Sequence, residues 1–134
     1  VEDGGTNGGN RQTAIFEFSV LLQPEILECW TYPNPFSQST RFVTMMGGHE
    51  ALFDYHIRIF TVSGRFVREL TAADLGPIQP GLHLTEFSWD GTDNFGDPLA
   101  SGLYFYRIYA EGKLVIPGDN SFFHRGTGKL VILR

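Results

Sequence analysis

The chain has 134 residues, of which 42% are apolar and 14% aromatic, enough for one packed domain and too apolar for wholesale disorder. Ten basic against fifteen acidic residues leave a net charge of −5 with no Lys/Arg cluster, which argues against a nucleic-acid footprint or a polybasic membrane contact. Cys29 is the single cysteine, so an intrachain disulfide and a cysteine-built zinc site are excluded, and no apolar run is long enough to span a bilayer as a helix.

Residues 1–12, VEDGGTNGGNRQ, have the Gly/Asn composition of a flexible linker and neither the basic start nor the apolar stretch of a signal peptide. The expectation is a piece of a longer protein. Residues 13–22, TAIFEFSVLL, place Phe16, Phe18 and Val20 on one face at period two, which predicts a strand that Pro24 interrupts. Segment 13–25 is thus expected as the closing strand of a preceding β domain or a boundary strand, with the main domain over 26–134.

Seven short segments follow: ILECWTY, RFVTMM, DYHIRIFTV, RFVREL, LTEFSWD, LYFYRIYAE and KLVILR. Each is rich in β-branched or aromatic residues and bounded by Gly, Pro, Asn or Asp, the pattern of strands joined by turns. In the third, Tyr55, Ile57 and Ile59 face one way and His56 and Arg58 the other. In the sixth, Tyr104, Tyr106 and Ile108 oppose Phe105, Arg107 and Tyr109. Ser63-Gly64 suits a two-residue hairpin turn. ELTAADLG reads as a loop beside a strand rather than a helical turn. The fold class is therefore all-β: an immunoglobulin-like antiparallel sandwich of about seven strands.

Between the first two strands, YPNPF (Tyr32, Pro33, Asn34, Pro35 and Phe36) fixes φ at two alternate positions. That predicts a stiff corner with Phe36 packed beneath it. No pattern implies catalysis. Cys29 lies mid-strand and reads as small apolar packing, the serines lack a nucleophile elbow, and the four histidines are dispersed. Asp90, Asp93, Asn94 and Asp97 could ligate calcium through oxygen, but turn capping explains them without a metal. No metal and no cofactor are expected. The loop from Pro117 to Gly128 carries Phe122-Phe123, either a tip patch for a partner or a cover on the sandwich end. The last strand, Lys129, Leu130, Val131, Ile132, Leu133 and Arg134, reads as an edge strand that a partner inspects or augments.

Taken in order, YPNPF, IRIFTVSGRFVREL, FSWDGTDNFGDPLASGLYFYRI and KLVILR resemble the C-terminal sorting domain of type IX secretion cargo in Bacteroidota, from about Glu28 to Arg134. The related immunoglobulin-like domain of the flagellar hook-capping protein shares the WDG and SG-Tyr-Tyr pattern. Within this group, TAIFEFSV, LECWTYPNPF and GDPLASGLYFYRI are similar to the tail of the sortase family, PorU. The resemblance implies Tyr32, Pro33, Asn34, Pro35, Gly64, Trp89, Asp90, Gly91, Gly102 and Tyr104 as fold markers, and Lys129–Arg134 as the recognition strand. It implies a non-enzymatic module that directs export across the outer membrane and surface retention. The protease residues of a sortase would lie upstream. The implied partners are a PorV-like outer-membrane β-barrel and the translocon, and the implied location is the cell surface after passage through the periplasm. The alternative is a carbohydrate- or surface-binding module with an aromatic platform at Tyr104, Tyr106 or Tyr109.

Overall fold

A computed structural model describes residues 25–134 of the chain; the linker expected over 1–12 and the strand over 13–22 lie outside the described residues. Two antiparallel sheets face each other. The smaller has the order β1 (Glu25–Tyr32), β2 (Arg41–Gly47), β5 (Gly81–Leu84). The larger has the order β4 (Phe66–Thr71), β3 (Tyr55–Thr61), β6 (Gly102–Ala110), β9 (Thr127–Ile132), β8 (Phe123–His124), with β7 (Lys113–Leu114) hydrogen-bonded to β6. The all-β sandwich expected from the sequence is present, with nine strands rather than about seven among the described residues.

The alternation read from the sequence builds the core. Ile57 and Ile59 of β3, Tyr106 and Ile108 of β6, and Leu130 and Ile132 of β9 are buried, while Arg58 and Arg107 are exposed. From the opposite sheet, Cys29, Phe42 and Met46 meet them. Tyr106 is the hinge of this packing, with its ring edge-on to Phe42 at 5.2 Å between centroids and to Phe123 at 5.5 Å. Burying each such side chain stabilises the fold by roughly 1.5–3 kcal/mol.

Three local expectations are corrected. The β3–β4 turn is a three-residue loop: the Thr61 amide donates to the Arg65 carbonyl, the Gly64 amide to the Thr61 carbonyl, and Gly64 takes φ 93°. Its left-handed glycine re-aims the chain into β4, as in a bulged hairpin. The strand read at LTEFSWD begins earlier, as GLHL. Thr85 ends it: the Thr85 hydroxyl accepts from the Phe42 amide and donates to the Phe87 carbonyl. Lastly, Ala72–Leu75 forms one helical turn, α1. Thr71 and Asp74 make a reciprocal capping box at its start, and Leu75 is fully buried.

Candidate functional site: the last strand and its cradle

β9 is flanked on both sides, which corrects its reading as an edge strand. One side pairs with β6, Gly102 opposite Ile132 and Phe105 opposite Lys129. The other side faces β8 and then the Tyr32–Phe36 corner. There the Lys129 amide donates to the Phe122 carbonyl at 2.7 Å. The Asn34 side chain substitutes for a strand, its Nδ2 donating to the Lys129 carbonyl and its Oδ1 accepting from the Val131 amide, each at 3.0 Å. The Phe36 amide then donates to the Val131 carbonyl at 3.0 Å, and the Phe36 carbonyl accepts from the Leu133 amide at 2.8 Å. A carboxamide has both a donor and an acceptor at the spacing of a peptide group, so one asparagine continues the ladder where no strand runs.

The corner is held in turn by the motif that follows β5. The Thr40 hydroxyl donates to the Pro33 carbonyl at 2.7 Å, and Thr40 and Trp89 exchange backbone hydrogen bonds. Phe36, 2% exposed, packs on Trp89 with ring centroids 5.7 Å apart, so the expectation that it lies beneath the corner holds. Both Tyr32-Pro33 and Asn34-Pro35 are cis, and Tyr32 itself projects to solvent. The Trp89 indole donates to the Thr92 carbonyl, closing the WDG turn.

Arg134, the last residue of the chain, ends in a cradle of carbonyls. Its Nε donates to Leu99 O at 2.9 Å, and its Nη2 to Gly91 O at 2.9 Å and Asp90 O at 3.1 Å. Its amide donates to the Ser101 hydroxyl at 2.8 Å. Gly91 has φ 76°, and a Cβ there would collide with the Arg134 guanidinium and the Phe36 ring. Glycine is therefore demanded at this position by conformation, and any side chain there would also push the Arg134 guanidinium out of its cradle. A guanidinium has five donors and no acceptor, which suits a ring of backbone oxygens.

Of the residues expected as fold markers, Asn34 bonds Lys129 and Val131, Asp90 and Gly91 hold Arg134 just beyond β9, and Trp89 reaches the strand only through Phe36. Gly102 opens β6 beside Ile132, and the Tyr104 hydroxyl ties back to the Ala100 carbonyl at 2.8 Å. Gly64 lies apart from these, at positive φ in the β3–β4 hairpin. Sequence reasoning missed Leu99 and Ser101 as contacts of Arg134, although both lie inside the quoted PLASG stretch. Leu99 and Asp90 act through backbone oxygens, which leave no side-chain signal to read.

The other candidates resolve simply. Cys29 is fully buried, its thiol pKa pushed up to about 12 by desolvation, with the Tyr106 hydroxyl at 3.9 Å. A protonated, inaccessible thiol packs; it does not attack. Asp93 accepts from the amides of Phe95 and Asp97 and so holds its own turn, while Asn94 accepts from the Glu69 amide and ties the turn to β4. Among the described residues no three His, Cys, Asp or Glu side chains come together as metal ligands. The 117–124 loop lies along β1: the Gly118 amide donates to the Leu27 carbonyl and Asn120 Nδ2 to the Cys29 carbonyl. It sends Phe123 into the core and leaves Phe122 partly exposed. Tyr104 and Tyr106 are buried, so no platform spans the three tyrosines weighed for glycan binding.

No protein-family model and no curated protein matches the sequence. Among solved structures, the chain is similar to dimeric latent PorU from Porphyromonas gingivalis, with a TM-score of 0.54 and 18% identity. The match covers 82% of this chain and 9% of PorU, so the chain corresponds to a small part of that protein, and the likeness is one of fold.

Proposed function

We propose that this chain is a non-enzymatic sorting domain of the type IX secretion system, most similar in kind to the tail of the PorU sortase. It directs export across the outer membrane and retention at the cell surface, with a PorV-like β-barrel and the translocon as partners. The observation that supports this reading is an overlap of two likenesses. The motif order from about Glu28 to Arg134 resembles type IX sorting domains, and a fold likeness to part of PorU covers 82% of the same chain. The recognition element is the last strand. Among the described residues, the Asn-Pro corner, the WDG turn and the SG turn all bond to the segment Lys129–Arg134.

Fusion of the 134-residue chain to a secreted reporter, expressed in a bacterium with type IX secretion, tests the proposal. The reporter is expected at the cell surface; its retention in the periplasm overturns the reading. Deleting Lys129–Arg134 is not a clean control, because it removes Leu130 and Ile132 from the core. Deleting only Leu133 and Arg134 empties the cradle while sparing both buried residues. That shorter deletion is expected to reduce export with the circular dichroism spectrum unchanged.

A further inference from the structure

The ladder around β9 decides how a partner can read it. Strand addition needs free backbone groups along an edge. Here the outward amides of Lys129, Val131 and Leu133, and the carbonyls of Lys129 and Val131, are already bonded to Phe122, Asn34 and Phe36. What remains available is the outer face of the larger sheet, where β9 shows Lys129 and Val131.

That face has its own character. In one row across four strands stand Phe66, Phe60, Phe105 and Lys129; Leu103 and Val131 are paired in the row beside it. Phe66 is 41% and Leu103 39% exposed. A second row sets Glu69, Arg58 and Arg107 side by side. Arg58 is ion-paired to Glu69 at 3.0 Å and lies over the Phe66 ring at 5.3 Å. Arg107 and Lys129 are exposed and have no carboxylate partner among the described residues. A depression of about 270 Å³ lies between Phe60, Phe105, Arg107 and Thr127. In a chain with fifteen acidic and ten basic residues, this face is locally cationic and apolar together. Exposed apolar rows of this kind mark contact surfaces, and a locally cationic one favours an acidic partner.

We infer that this face docks an extended acidic segment of a partner protein, carboxylates on Arg107 and Lys129 and aliphatic side chains along Phe60, Phe105 and Val131. The inference rests on the sorting reading for its biological setting and on face chemistry for its partner class. The apolar row of Phe66, Phe60 and Phe105 suits aliphatic side chains, which an anionic polysaccharide lacks, and so favours a peptide.

The test titrates the 134-residue chain with a labelled peptide of Glu-Ser-Val-Ser repeats, which when extended puts Glu and Val on one face, and with its Lys-for-Glu counterpart. Only the acidic peptide is expected to bind. The double variant Arg107→Glu/Lys129→Glu should weaken it by about tenfold or more. Arg41→Glu, on the opposite sheet, should leave it unchanged. Equal binding to the double variant, or to the Lys peptide, overturns the inference. Full displacement of the acidic peptide by polygalacturonate overturns it in favour of a glycan. The same double variant in the export fusion separates the two readings. Export of the parent but not the reversed domain supports both. Export of both overturns the face as a secretion contact, and retention of both overturns the sorting reading itself.

Discussion

β9 and β5 are both short strands late in their sheets, yet they have opposite surroundings. Among the described residues β5 pairs with β2 alone, and its Leu82 and Leu84 stand 62% and 44% exposed. β9 has β6 on one side and, on the other, a two-residue strand followed by an asparagine side chain and a phenylalanine backbone. The lesson is that an edge need not be closed by a strand. A proline-fixed corner with one carboxamide closes it as completely, and without extending the sheet for a further strand to join.

The largest effect should come from the side chain that seats the corner. Phe36→Ala removes a buried ring from Trp89 and should cost about 3–5 kcal/mol in urea unfolding. A loss below 1 kcal/mol would mean that the corner does not depend on that stack. Alkaline pH probes the core behind both strands. Cys29 is held neutral by burial, from an ordinary 9.0 up to about 12, and Tyr55 and Tyr106 are raised as well, chiefly by desolvation. The unfolded chain therefore releases these protons first, so stability is intact below about pH 9 and falls as pH rises toward 12. Thermal melts across that range, with a Cys29→Ala control, should show a shallower decline in the variant.

Asn34→Ala strands the Val131 amide and the Lys129 carbonyl, which should cost about 1–2 kcal/mol. Hydrogen exchange locates the change: the Val131 amide should lose protection while that of Leu130, bonded to β6, keeps most of its own. Uniform loss across β9 would show that the corner acts through global stability alone. Smallest of all is Leu82→Lys on β5, within about 0.5 kcal/mol of the parent, since an exposed side chain on a strand at the sheet edge among the described residues has little packing to lose. If this change matched Asn34→Ala, the contrast between the two edges would collapse.

Runs of β-branched and aromatic residues bounded by turn residues made β1, β2, β3, β4, β6 and β9 legible, and in β3 and β6 period-two alternation also gave the two faces. Tyr55, Ile57 and Ile59 against His56 and Arg58 are the clearest instance. β7 and β8, of two residues each, are too short to have a period. β5 was displaced because Thr85 and Phe87, which look like strand residues, are diverted by the Thr85 hydroxyl. The motifs YPNPF, WDG and SG were visible as turn chemistry, and so was their order.

That order is what the sequence determined by itself, together with the sandwich class and the two faces of β3 and β6. Only the tertiary structure decided that the motifs meet on the segment Lys129–Arg134, and that the edge of β9 is closed. The physical reason is range and chemistry. Asn34 reaches Val131 across 97 positions, and Arg134 is held by the carbonyls of Asp90, Gly91 and Leu99. Every residue has a backbone carbonyl, so a cradle built from carbonyls leaves no trace in residue identity beyond the glycine that makes room for it.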